Sequence, residues 1–144
     1  MRTRSSQETA HRDESQGAFA SLQEVVSEFL IRHRSVLDVI SKFQEANARV
    51  NRAVVKAVTY CGCIGVEAGR QNIPRDISVR ELKNYMETHL RGSICEHCQE
   101  VLEQELGRHM FYIAALCDLF ALDLESVVEN ERKRVATLGV FNLT

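Results

Sequence analysis

The residues best suited to chemistry in this chain are four cysteines in two close pairs, Cys61-Gly62-Cys63 and Cys95-Glu96-His97-Cys98. Thiolates are soft ligands, and paired thiolates are a common way for proteins to hold zinc or an iron–sulfur centre. On a helix, residues three apart project about 60° from one another, so the Cys95 and Cys98 sulfurs can share one ion. At the start of a helix the unpaired amides also favour the thiolate. Cys61 and Cys63 differ, because residues two apart on an unbroken helix point about 160° away from each other. They chelate together only if the helix stops there, and Gly62 or Gly65 can supply the stop.

The same thiols fit two other roles. Cys95 and Cys98 prolong the apolar seam of Leu102 and Leu106, and free cysteine is among the most buried residue types, so they can be core residues. A redox dithiol is the third possibility. His97 is either an alternative ligand or a solvent-facing side chain. His109 reads as a hydrogen-bonded core residue, and Cys117, among Ala114, Ala115 and Leu116, as a core thiol. Five is an odd count, and a reducing compartment keeps thiols free, so a disulfide scaffold is not expected.

The elements that must position these groups are helices. Ser21 with Glu24, Ser78 with Glu81 and Ser93 with Glu96 each fit the capping box, in which hydroxyl and carboxylate satisfy unpaired backbone donors. Ser35 with Asp38 is a weaker start, and Asp123 caps a last helix to about Arg134. Gly69 and Gly92 are placed to end helices, with Pro74 in the polar linker between them. The longest helix, about 93–121, carries Leu102, Leu106, His109, Ile113, Leu116 and Phe120 at intervals of three and four. A second apolar stripe, including Val36, Ile40, Phe43, Val54 and Val58, marks a helix from about 35 to 60, with a possible break at Asn47 to Asn51. A short helix is expected over 78–90, and strand signals are nearly absent. The fold is therefore all-α: a bundle of four to five helices over residues 19–144, preceded by a polar, disordered tail over 1–18.

The run from Glu105 to Leu116, with Ala121-Leu122-Asp123-Leu124-Glu125 after it, resembles the second metal-binding helix of MazG-like nucleotide pyrophosphohydrolases, and the stretch from about Phe43 to Arg134 matches that family in order. The resemblance implies four carboxylates holding magnesium against a nucleotide triphosphate, a hard ion on oxygen ligands. Aligned on it, Ala57 to Ile64 forms the first motif, which puts Thr59, Tyr60 and Cys63 at three acid positions. Glu105 is kept as the candidate catalytic residue, and Arg108 stands where an aspartate belongs. Magnesium binding is then expected to be lost, with Arg108 paired to Glu105 three residues before it. In this alignment Glu105 lies level with Cys63, about 10 Å along the helix from Cys98, so a four-cysteine site needs a shifted register, an early helix end or a second subunit. An active enzyme would have to draw on Glu67, Glu100, Glu103 and Glu105. The family also implies pairing of two copies, so a homodimer is expected and a nucleotide is a possible ligand. A ligand-free oligomerisation module is the remaining alternative.

Composition sets outer bounds. The chain has 144 residues, enough for one domain. Its 18 basic and 20 acidic residues are interspersed, which gives no single-sign field pointing to nucleic acid or a membrane surface. No apolar run approaches the ~20 residues of a membrane helix, and the first residues lack the apolar stretch of a signal peptide, so a cytoplasmic location is expected. No glycine-rich phosphate loop or nucleophile elbow is present.

Overall fold

The computed structural model describes residues 17–139. The expected disordered tail lies outside these residues except for Gly17 and Ala18, and Ala18 already opens a helix. Among the described residues the chain forms four helices: α1 (Ala18–Phe29), α2 (Val36–Lys56), α3 (Glu96–Leu119) and α4 (Leu124–Leu138). A widened turn, Ala57–Cys61, ends α2. Two short strands, β1 (Ile64–Val66) and β2 (Leu90–Gly92), pair antiparallel with Ile64 opposite Gly92 and Val66 opposite Leu90. The architecture is mostly helical, as the seams require. Strands of three residues are too short for an alternating pattern to show in sequence.

Helices α2 and α3 run antiparallel. The Phe43 ring lies on His109 at one end, with centroids 4.6 Å apart, and the Cys61 sulfur meets that of Cys95 at the other. The main core sits at the first of these ends. There Val26 and Leu30 of α1 meet Val39, Ala114, Ala115 and Leu124, with Cys117 buried among them as expected. Toward the other end the interface thins to Ala46, Ala57 and Ile64. The half of the molecule carrying the paired cysteines therefore has little apolar burial of its own.

Helix boundaries depart from the capping expectations for specific reasons. Ser21 lies inside α1, because Glu125 of α4 reaches over and accepts a hydrogen bond from the Ala20 amide at 3.3 Å, and the N-cap falls at Gly17, four residues earlier. Half of the Ser78 and Glu81 box forms: the carboxylate accepts from the Ser78 amide (2.9 Å) and hydroxyl (2.7 Å), while the Glu81 amide bonds the Ser78 carbonyl and not the hydroxyl. It opens only a short 3-10 turn, Leu82–Asn84, since Gln71 bonds the backbone of Glu87 and draws the chain into β2. Ser93 caps nothing: β2 keeps the backbone extended, and Cys95 takes the N-cap position. Gly69 lies in a loop and Gly92 in a strand, neither ending a helix. Helix α2 is unbroken through Asn47 to Asn51. Asp123 caps α4 as read, accepting from the Ser126 amide at 3.0 Å. Asp123→Ala will lower stability by about 1 kcal/mol in a urea melt, with metal content unchanged.

The expected seams are only partly buried. Leu106 on α3 and Phe120 just past its end stay exposed, and so do Val36, Leu37, Ile40, Val54 and Val55 on α2. By helix geometry these five α2 residues share one outward face about 100° wide. His109 has no hydrogen-bond partner at its buried Nε2, contrary to the expectation of a bonded core histidine.

Candidate metal centre

The sulfurs of Cys61, Cys63, Cys95 and Cys98 all lie within 4.8 Å of one another. Two local features bring the first pair together. The turn Ala57–Cys61 widens so that the Gly62 amide bonds the Ala57 carbonyl five residues back, at 2.9 Å. Such widened turns often occur where a helix is bent to a purpose. Gly62 then adopts a left-handed conformation (φ 72°), ending the helix as the cysteine spacing requires. The chain passes directly into β1, whose partner β2 leads within three residues to Cys95. The small sheet is thus the clamp that holds the two cysteine knuckles face to face. All five cysteines of the chain are free thiols.

The distances suit a single ion. Four sulfurs at about 2.3 Å from a tetrahedral zinc are about 3.8 Å apart, and Cys61 and Cys95 are 3.7 Å apart. Cys61 is exposed and the other three are half-buried, so the centre is reached from solvent at one edge. The Cys98 backbone amide, at the open end of α3, is the leading influence that draws the Cys95 thiol down to about 7, followed by the Cys98 thiol. Burial, then the Cys95 sulfur, pushes Cys98 up to about 12. The cluster therefore favours one thiolate held by neighbouring S–H groups, a set of protons that a divalent cation displaces.

Gly92 is needed at close quarters. A Cβ there would stand 2.8 Å from the Cys63 carbonyl oxygen, and its φ of 77° strains any other residue. Gly62 has the same backbone hand and open space around it. Gly92→Ala will therefore destabilise by about 1–3 kcal/mol and weaken metal affinity, while Gly62→Ala costs only the backbone strain of about 1–2 kcal/mol. Thermal melts with and without chelator compare the two.

The carboxylates do not converge. Among the described residues, the four cysteines are the one group of three or more His, Cys, Asp or Glu side chains placed to hold a metal. Glu105 accepts from Arg108 through both oxygens, at 3.1 and 3.0 Å, as expected from their spacing. Its place opposite Cys63 is not found. It lines a cavity with Glu45, Arg49, Arg52 and Lys56 instead, about two turns of α2 before the thiols. This shifted register, together with the early end of α2, is what lets four cysteines of one chain meet. Thr59 bonds the Val55 carbonyl at 2.8 Å, and Tyr60 is exposed. Glu67 pairs with Arg91, while Glu100 and Glu103 are exposed on α3. His97 is exposed, outside the sulfur cluster.

Sequence reading did not single out Arg49, Arg52 and Lys56, whose spacing by three and four puts them on one face of α2. That spacing was the available signal, and it is a weak one because exposed helix faces commonly carry basic residues. No helix among the described residues is long and apolar enough to cross a membrane. The chain matches no family model, no curated protein and no solved structure.

Proposed function

We propose that this protein is a MazG-like helical module in which a structural zinc ion on Cys61, Cys63, Cys95 and Cys98 replaces the magnesium chemistry of the hydrolase family. The observation that carries the reading is the convergence of four sulfurs within 4.8 Å. Zinc is favoured over an iron–sulfur cluster because a four-iron cluster puts each thiolate on a different iron and so needs the sulfurs spread more widely. The ion would sit where apolar burial is thinnest and tie α2, the β1–β2 clamp and α3 together. Closed four-thiolate zinc sites are structural and contribute folding free energy directly.

The hydrolase activity is not part of this reading. Glu105 is engaged by Arg108 and faces arginines and a lysine across the groove, a setting that repels a hard dication. The exposed apolar face of α2, with Leu106 and Met110 of α3 also uncovered, supports pairing of two copies. The test combines elemental analysis with a turnover assay. The protein should carry one zinc per chain and release no pyrophosphate from a panel of nucleoside triphosphates with magnesium. Turnover abolished by Glu105→Gln would overturn the reading.

A further inference from the structure

The balanced charge of the sequence is sorted by the fold. On α2, Lys42, Arg49, Arg52 and Lys56 fall within about 80° of one another around the helix and line the groove between α2 and α3, joined by Arg108 from the far wall. Against these five cations the groove holds two carboxylates, Glu45 and Glu105. Glu45 is held at about 2 by the Lys42 ammonium and then Arg49, and Glu105 is held by Arg108. Among the described residues Arg52 and Lys56 form no ion pair.

This groove does not stop at the cations. A cavity of about 440 Å³ bearing Arg49, Arg52 and Lys56 adjoins one of about 370 Å³, the two sharing Ala53, Lys56 and Val101. The second is walled by Ala57, Tyr60 and His97 beside the thiols and contains no carboxylate. Tyr60 is 90% exposed, so its ring is free to receive a flat partner. Lys42 to Lys56 spans about 21 Å along the helix.

We infer that the α2–α3 groove binds single-stranded nucleic acid, its phosphates on Arg49, Arg52 and Lys56 and a base stacked on Tyr60. Arg52 and Lys56, unpaired among the described residues, with Arg49 shared with Glu45, set cations about a turn apart, which suits a repeating phosphate chain. A lone nucleotide triphosphate needs donors that converge on one point, whereas Arg49, Arg52 and Lys56 are strung along about two turns of one helix. Single-strand binding surfaces elsewhere combine a basic track with aromatic platforms, over sites as short as about four nucleotides. The proposal goes beyond the zinc centre, whose role here is to hold Tyr60 and His97 on facing walls.

The test is fluorescence anisotropy of a labelled 12-nucleotide oligo(dT) on the full-length, metal-loaded protein, with zinc content and circular dichroism checked for every variant. Three phosphate contacts give a slope of log affinity against log salt of about −2. The double variant R52A/K56A should bind at least tenfold more weakly, with a slope near −0.7. Tyr60→Ala should lose about tenfold with the slope unchanged. Absence of oligonucleotide binding at low salt, or binding indifferent to both variants, would overturn the proposal. So would equal competition by ATP or inorganic polyphosphate at matched phosphate concentration. Zinc content read separately keeps failure of this inference distinct from failure of the zinc assignment.

Discussion

Cys98→Ser will reduce bound zinc from one per chain to a trace and lower the melting temperature by about 15 °C. Serine is nearly the same size, so the substitution removes a ligand with little change in packing. Zinc bound about a thousandfold above its dissociation constant contributes about 4 kcal/mol to the folded state. In a domain of this length that corresponds to roughly 15 °C. The loss should be local in origin, because the clustered core of α1, Val39, the C-terminal half of α3 and α4 lies at the opposite end of the helix pair. Hydrogen exchange should therefore quicken first at Ala57 to Val66 and Leu90 to Cys98. His97→Ala, at an exposed residue within the same motif, should change neither zinc content nor melting temperature. A Cys98→Ser variant that keeps a full zinc complement would remove Cys98 from the ligand set.

The second large effect is on pH. Zinc takes thiolates, while in the metal-free cluster the Cys61 and Cys98 thiols are raised, Cys98 to about 12, and Cys95 lies near 7. Binding near pH 7 then releases at least two protons, from Cys98 and from Cys61, whose thiol is also raised, and apparent affinity falls at least about a hundredfold for each unit of acidification. The sign follows from proton counting, since the metal-bound state carries fewer protons than the free one, so acid favours release. The stability contributed by zinc is complete at alkaline pH and is lost as pH falls below 7. Melting temperatures with and without chelator should differ widely at pH 8 and converge near pH 5. Proton release on zinc addition in weakly buffered solution checks the stoichiometry. A flat response to pH would mean that the ion is not held by thiolates.

Much of the scaffold was legible because long helices announce themselves through many residues. The pairing of α2 with α3, the N-cap at Asp123 and the burial of Cys117 all follow from periodicity and local capping chemistry. Contacts between distant residues were not legible. Nothing near Ser21 reveals that Glu125 caps the helix ahead of it, and nothing in the sequence of 78–90 reveals that Gln71 holds the Glu87 backbone. At the site, the spacing of Cys95 and Cys98 and the helix-breaking capacity of Gly62 were both readable. The register was not, because a helix pair can slide by whole turns while keeping its apolar faces in contact. The resemblance to MazG-like hydrolases implied Glu105 opposite Cys63, whereas the fold puts it beside Arg49 and Arg52. The clamp of three-residue strands that fixes this register is too short to leave a pattern.

X-ray absorption at the zinc edge, on protein purified without added metal, tests most directly whether the four thiols hold a zinc ion in this fold. Four sulfur neighbours at about 2.3 Å are the expected result. A signal from oxygen and nitrogen ligands, or protein that carries no zinc, would contradict it.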